Sequence, residues 1–124
     1  MTLAEHEHDP GGKSRLAMLP GVVGDAEFSQ CGRFRYWLSR DWSGQQDAPY
    51  LFMIGMNPST AGVAVDDPTI RREIDLAKRE GFGRLVKANV MDFRATSPKR
   101  LLEVTPCSDR NRPTIRNIAA RASK

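Results

Sequence analysis

The chain has 124 residues, of which 40% are hydrophobic and 27% charged, and its net charge is +4. This length allows one modest hydrophobic core, which indicates a single domain. No stretch reaches the roughly 18 apolar residues that a membrane-spanning helix needs, so no membrane partner is expected. The basic balance favours a polyanionic partner such as nucleic acid, although many unrelated soluble domains are as basic.

The first 20 residues are predicted to be a flexible tail, and residues 21 to 124 a single α/β domain. The tail is polar and lacks the basic-then-apolar pattern of a secretion signal, so a cytoplasmic location is expected. Its GGKS stretch is similar to the end of a phosphate-binding loop. However, Glu7 stands where the first glycine of that motif belongs.

Residues that bind metals are few and widely spaced. His6 and His8 are the only histidines, and both belong to the predicted tail. Cys31 and Cys107 are 76 residues apart, without the spacing of a metal site, and are expected to be reduced thiols. We therefore expect neither a metal nor a cofactor.

The first predicted structured element is a β-hairpin between Val22 and Trp42. Apolar and aromatic runs flank the turn-forming residues SQCG, and the side chains from Phe34 to Ser39 alternate as in a strand. Residues 50 to 56, YLFMIGM, are apolar without alternation. Such a run predicts a strand that is buried on both faces.

A helix is predicted to begin after Asp67 and to end near Glu80. Asp67 is a favourable N-cap, Pro68 suits the first helical position, and Gly81 is a favourable terminator. One face of this helix carries the apolar residues Ile70, Ile74 and Ala77.

Three further elements follow along the chain. Residues 84 to 90, RLVKANV, predict a second strand. Ser97 and Pro98 begin a brief helix through about Glu103, and Pro113 opens a last helix. Strand, helix and strand in close succession form a βαβ unit with parallel strands and a right-handed crossover. The predicted fold is therefore α/β, with a parallel-stranded βαβ core behind an N-terminal β-hairpin.

The carboxyl ends of the two predicted parallel strands should meet at one edge of the sheet, where open α/β sheets bind ligands. The ten-residue gap from Asn57 to Asp67 is longer than a typical connection of this kind, which favours a binding loop. The candidate site residues leave the strands at this edge or begin the connecting helix: Asn57, Ser59, Thr60, Asp67, Arg71, Asn89 and Arg94.

Each of these residues also has a purely structural interpretation. Asn57 and Pro58 are a common turn starter, and the hydroxyls of Ser59 and Thr60 can satisfy loop backbone. Asp67 can act as a helix cap alone, and arginines on a helix more often face solvent than bind phosphate. An amide at the end of a buried strand is harder to explain, since it must find hydrogen bonds or cost on the order of 1–3 kcal/mol.

Four motifs in order resemble the bacterial DUF1643 family, whose function is not established: FRYWLSRDW, FMIGMNPSTA, DDPTIRR and GFGRLVKANVMDFRATSPKRLL. The resemblance covers roughly residues 26 to 111. More distantly, GMNP at Gly55 to Pro58 resembles the first catalytic motif of several branches of the uracil-DNA glycosylase superfamily. The later ANVMDFR resembles the sequence around that superfamily's base-reading asparagine. This resemblance implies a three-layer uracil-DNA glycosylase-like architecture.

On this resemblance, Asn57 would be catalytic and position the attacking water, and Asn89 would read the edge of a base. Cleavage of an N-glycosidic bond builds an oxocarbenium-like sugar and a negative charge on the departing base, which held water and amide hydrogen bonds would stabilise. The expected partner is DNA or a free nucleotide, with the base stacked on Phe93 or Phe82.

The sequence departs from the glycosylase superfamily in its C-terminal part. No histidine follows residue 8, although the superfamily carries a His-Pro motif that supports the leaving base. The chain is therefore expected to be incomplete at the C-terminus, with an open sheet edge that favours homo-oligomers. Three interpretations stay open: a glycosylase-like hydrolase, a non-catalytic nucleotide or nucleic-acid binding module, and a truncated fragment without independent function.

Overall fold

The computed structural model describes residues 15–45, 47–95 and 105–122. These residues form a mixed α/β structure with a four-stranded sheet of order β2-β3-β6-β4 and a two-stranded sheet of β1 and β5. The strands are β1 Leu16–Ala17, β2 Val23–Phe28, β3 Arg35–Asp41, β4 Tyr50–Gly55, β5 Val65–Asp66 and β6 Arg84–Asn89, and the helices are α1 Pro68–Arg79 and α2 Asn111–Arg121.

The predicted hairpin is confirmed, since β2 and β3 pair antiparallel. Glu27 pairs with Trp37, but the next residue, Phe28, pairs with Arg35, so the register shifts between Glu27 and Phe28. Tyr36 is therefore extra in β3, as in a β-bulge, and the alternation of side chains breaks there. Both Arg35 and Tyr36 are buried as a result, whereas strict alternation places neighbours on opposite faces.

Strands β4 and β6 pair in parallel, with Gly55 opposite Asn89. The sheet as a whole is mixed rather than parallel, because β3 pairs antiparallel with both β2 and β6. The prediction that residues 50 to 56 are buried on both faces was wrong at the carboxyl end, where Ile54 and Met56 are 50% and 59% exposed. An apolar run does not indicate the position of its strand in the sheet. Among the described residues β4 is an edge strand, and α2 packs mainly on β6 and β3 rather than on β4.

The predicted helix is confirmed as α1. The Asp67 carboxylate accepts a hydrogen bond from the backbone N–H of Ile70 at 2.9 Å, which caps the helix. Gly81 follows the helix with a φ of 83°, the left-handed conformation that commonly ends one. The predicted apolar face packs against the sheet in a core that includes Leu38, Leu51, Ile70, Ile74, Ala77 and Leu85.

Part of the predicted tail is structured, since Leu16–Ala17 pair antiparallel with Val65–Asp66. Residues 1–14, with the GGKS stretch and both histidines, lie outside the described residues. The brief helix predicted from Ser97 to Glu103 lies outside them as well.

The last predicted helix is confirmed as α2, which is tied to the sheet near both of its ends. At its start, Asn111 Nδ2 donates to the backbone oxygens of Asn89 and Val90, at 3.0 and 2.8 Å. Near its end, the Ile118 carbonyl accepts a hydrogen bond from the Tyr50 hydroxyl at 2.6 Å. Neither α1 nor α2, the helices of the described ranges, is long and apolar enough to cross a membrane.

We expect Tyr50→Phe to loosen α2 from the sheet, because the substitution removes the hydroxyl that donates to Ile118. Such a loss typically lowers the free energy of unfolding by about 1 kcal/mol. Burial raises the pKa of Tyr50, so its neutral form is favoured in the folded state. The wild-type chain should therefore lose this stabilisation as the pH rises above about 10, whereas the variant should not. Urea unfolding of both proteins at neutral and alkaline pH measures the difference, and an unchanged difference contradicts the prediction.

Candidate functional site

The segments that follow β4 and β6 lie side by side at one edge of the sheet. Gly55, the last residue of β4, is the register partner of Asn89. Further on, the Ala95 N–H donates to the Pro58 carbonyl at 2.8 Å, so the two segments stay hydrogen-bonded beyond the strands. Asn57 and Asn89 therefore sit on neighbouring segments of the same edge.

The Asn57 side chain joins these two segments. Its Nδ2 donates to the backbone oxygens of Ala95 at 2.7 Å and Pro58 at 3.1 Å. Because carbonyl oxygens only accept, these contacts fix which end of the amide faces them. The half-buried side chain keeps Oδ1 as an acceptor without a hydrogen-bond partner among the described residues.

Asn89 is 1% exposed and contacts a residue that sequence analysis did not single out, Arg35. Its Oδ1 accepts a hydrogen bond from Arg35 Nη2 at 3.3 Å, and since guanidinium nitrogens only donate, the amide orientation is fixed. Its Nδ2 is buried without a partner. A Cβ at Gly55 would lie 2.8 Å from this Nδ2, so glycine allows the close approach of β4.

The loop after Asn57 contributes further buried polar atoms. The side-chain oxygens of Ser59 and Thr60 have no hydrogen-bond partner within residues 15–45, 47–95 and 105–122. The same holds for Arg35 Nε, although Arg35 Nη1 donates to the Ala61 carbonyl at 3.0 Å. Each buried polar atom without a partner typically costs about 1–3 kcal/mol. We call the four residues that carry these atoms the polar cluster: Arg35, Ser59, Thr60 and Asn89.

Arg94, a predicted substrate-binding residue, is buried and makes contacts inside the protein. It is 2% exposed, and its guanidinium donates to the carbonyls of Ser59 at 3.3 Å and Gly32 at 3.1 Å. The guanidinium carbon also lies 4.8 Å from the centre of the Phe28 ring. Arg94 thereby fastens the loop after β4 to the hairpin.

Asp67 and Arg71, the other two predicted binding residues, are also engaged locally. Asp67 caps α1 through the Ile70 N–H. Arg71 Nε donates to the Asp66 carboxylate at 2.9 Å, and its Nη2 donates to the Ala17 carbonyl. The structure therefore brings Asn57, Ser59, Thr60 and Asn89 together, while Asp67 and Arg71 support the elements around them.

Comparison of the sequence with models of known protein families assigns the chain to one of them. Residues 35–124 match DUF1643, a family described as proteins of unknown function. The chain belongs to the DUF1643 family. No curated protein and no solved structure matches it. The DUF1643 match begins at Arg35 and contains the whole polar cluster.

Two charged residues at or near this candidate site were missed by sequence analysis. Lys87 is 6% exposed, and its Nζ donates to the Glu73 carboxylate at 2.9 Å. Its interruption of the apolar run in β6 was an available signal. Arg35 gave no such signal, because its burial depends on the bulge at Tyr36.

The polar cluster holds a positive charge. Burial lowers the pKa of Arg35 to about 10, while the Asp67 carboxylate opposes this shift and the charges of Arg94 and Arg40 add to it. The guanidinium is therefore protonated at neutral pH. A buried charge interacts strongly with any anionic group that approaches it, since little water screens it.

A groove of about 890 Å³ lies elsewhere, between α2 and the sheet. Its walls include Trp37, Tyr50 and Val86 from the strands and Ile118 from α2, and none of the predicted site residues lines it. We assign the candidate site to the polar cluster rather than to the groove. Buried polar atoms without partners require an explanation, whereas an open groove does not.

No metal centre is found within the described ranges. No group of three or more His, Cys, Asp or Glu side chains is placed there to hold a metal ion. Cys31 and Cys107 are free and exposed.

Proposed function

We propose that this chain is a cytoplasmic glycosylase-like hydrolase that acts on the N-glycosidic bond of a nucleobase, in DNA or in a free nucleotide. The proposal includes a single domain over residues 21 to 124, extended by β1 at Leu16–Ala17, and a three-layer arrangement similar to that of uracil-DNA glycosylases. Its main support is the Asn57 side chain, whose Nδ2 is held by two carbonyls while Oδ1 stays available as an acceptor.

In this proposal Asn57 is catalytic. Its Oδ1 accepts a hydrogen bond from water and orients the water oxygen towards C1′ of the sugar. As the N-glycosidic bond breaks, its electron pair leaves with the base, which becomes negatively charged. The water oxygen bonds to C1′, and the proton that it releases goes to the departed base, so the products are the free sugar hydroxyl and the neutral base. Asn89 Nδ2, a buried donor without a partner, donates to a carbonyl of that base, and the Arg35 charge next to Asn89 favours the anion.

The remaining predicted residues have supporting roles in the proposal. The hydroxyls of Ser59 and Thr60 are available to bind substrate, because they have no hydrogen-bond partner in the part of the chain that the structure describes. Direct substrate contacts of Asp67, Arg71 and Arg94 stay predictions. The Arg71 side chain, at 30% exposed, is the most accessible of these three to a phosphate.

A base-excision assay tests the proposal. Wild-type protein is incubated with oligonucleotides that contain uracil or hypoxanthine and with the corresponding free nucleotides, and base release is measured. We expect slow excision, because no histidine follows residue 8 to support the leaving base. Loss of one such donor typically slows a reaction about 100- to 1000-fold. Base release no faster than with heat-denatured protein contradicts the proposal.

A second candidate function is nucleotide or nucleic-acid binding without turnover. The burial of the cluster favours it, since Thr60 is 5% and Asn89 1% exposed, which restricts access of a base. Binding that weakens steeply with salt, together with no excision, is the signature of this candidate, because phosphate contacts release counterions.

We also propose homo-oligomers through the open edge of β4. Ile54, Met56 and Val90 are 50%, 59% and 61% exposed at the carboxyl end of the β4–β6 pair. Edge strands with exposed apolar side chains tend to pair with a further strand.

A further inference from the structure

Arg35 is a buried cation that makes no direct ion pair with a carboxylate of the described residues, although the Asp67 and Glu73 carboxylates act on its charge from a longer distance. It is 2% exposed, and its two hydrogen bonds go to neutral oxygens, the Ala61 carbonyl and Asn89 Oδ1. No Asp or Glu oxygen of the described residues lies within 4.0 Å of its guanidinium nitrogens. Isolated buried charges are costly, and proteins normally pair them.

Two other buried cations of this region are paired with carboxylates. Arg40, which is fully buried, pairs with the Asp66 carboxylate at 2.8 Å. Lys87, with a side chain 8% exposed, pairs with Glu73 at 2.9 Å. Arg35 departs from this pattern in the same part of the protein.

Most atoms of the polar cluster that lack a partner among the described residues are donors. Arg35 Nε and Asn89 Nδ2 only donate, and the hydroxyls of Ser59 and Thr60 are able to donate. Donors around a positive charge suit an anionic oxygen group. One acceptor without a partner, Glu73 Oε1, is also buried, and it suits a ligand that carries a hydroxyl as well.

We propose that the polar cluster binds an oxyanion through Arg35 and the hydroxyls of Ser59 and Thr60, and that this oxyanion is the phosphate group of a nucleotide whose base carbonyl Asn89 Nδ2 contacts. The choice of a nucleotide rests on the proposed function. The choice of phosphate rests on the number of donors and on Arg35, because a guanidinium matches phosphate oxygens with two parallel hydrogen bonds. Since the donors are nearly inaccessible to solvent, entry of the ligand requires the loop at Ser59 and Thr60 to move away from its contacts with Arg94 and Ala95.

Ligand titrations at constant ionic strength test this inference. The probes are inorganic phosphate, deoxyuridine monophosphate, the uncharged deoxyuridine and acetate, and the readouts are calorimetric affinity and the melting temperature. We expect phosphate and the monophosphate to bind and to raise the melting temperature, since a ligand that binds only the folded state stabilises it. Deoxyuridine should bind more weakly than the monophosphate.

Two substitutions alter the charge of the site in opposite ways. Arg35→Met removes the cation, and we expect phosphate affinity to fall about 10- to 100-fold, as for loss of hydrogen bonds to a charged group. Asn89→Asp supplies the carboxylate that Arg35 lacks, so it should raise the melting temperature of the free protein and suppress phosphate binding. Asn117→Asp, on an exposed position of α2, makes the same charge change and should leave binding unaltered.

The outcomes separate this inference from the proposed function. Phosphate binding that depends on Arg35 and Asn89 supports the inference even if no base is excised. Equal phosphate affinity in wild type, Arg35→Met and Asn89→Asp overturns it, even if excision is observed. A response to acetate without a response to phosphate also overturns it. If Arg35→Met does not fold, the phosphate affinity of Asn89→Asp alone tests the inference, because an aspartate side chain has the same size and shape as the asparagine that it replaces.

Discussion

Replacement of Asp66 by alanine is expected to lower the free energy of unfolding by about 3–5 kcal/mol, the usual effect of breaking a buried ion pair. The Asp66 carboxylate accepts hydrogen bonds from Arg40 Nε at 2.8 Å and Arg71 Nε at 2.9 Å. The side chains of Arg40 and Asp66 are fully buried. The substitution therefore leaves Arg40 as an uncompensated charge in the core, while its remaining partners are the neutral carbonyls of Ser39, Gly62 and Val65.

The position of Asp66 explains why the effect should spread. Asp66 ends β5, Arg40 belongs to β3, and Arg71 belongs to α1. Arg71 also donates to the Ala17 carbonyl in β1. One carboxylate thus connects the small sheet, the large sheet and the helix, so its loss should loosen all three.

Urea unfolding measures this prediction, with Glu27→Ala as the control. Glu27 pairs with Arg110 at 3.1 Å, but their side chains are 41% and 58% exposed. The Glu27 carboxylate also accepts a hydrogen bond from Trp37 Nε1 at 3.0 Å, the loss of which adds about 1 kcal/mol to the effect of the control. Exposed pairs contribute only about 0–1 kcal/mol. The double variant Arg40→Met with Asp66→Leu should recover much of the loss, because apolar residues replace buried ions well. An Asp66→Ala variant as stable as the Glu27→Ala variant contradicts the structural role of this pair.

Local signals predicted α1 well and could not predict the ion pairs. The cap at Asp67, the proline after it and Gly81 act within a few residues of one another, so the sequence order itself contains the information. Arg40 and Asp66 are 26 residues apart, and their contact depends on how β3 and β5 come together. The residue pattern of neither strand predicts this contact.

The placement of Asn57 and Asn89 on neighbouring segments was predictable from the sequence, whereas the contacts around them were not. The rule that ligands bind at the carboxyl edge of a sheet placed Asn57 and Asn89 on neighbouring segments, and the register of β4 and β6 agrees. The burial of Arg35 could not be predicted, because it depends on a single extra residue in β3, Tyr36, which breaks the alternation of side chains. Burial of the cluster also depends on how the loop folds over it, which composition does not reveal.

Asn57→Ala is expected to have the largest effect on catalysis if the chain excises bases. The substitution removes the acceptor that would orient the attacking water. It also removes the Nδ2 donor to Ala95 and Pro58, which holds the loop against the segment after β6. Loss of a preorganised group of this kind typically lowers kcat about 100- to 1000-fold. Single-turnover base release from a uracil-containing oligonucleotide measures the change.

Asn57→Asp tests whether the acceptor oxygen of residue 57 must be held in a fixed position or only needs to be present. A carboxylate keeps an acceptor but has no donor for the two carbonyls, so it should be repelled from Ala95 and Pro58 and lose its fixed position. We expect kcat to fall with little change in KM, because the group acts in the transition state rather than in substrate binding. Asn117→Ala, at an exposed position of α2, is the control, and melting temperatures show whether each variant is folded. Folded Asn57 variants that excise bases at the wild-type rate would remove Asn57 from the mechanism and leave the loop as structural support.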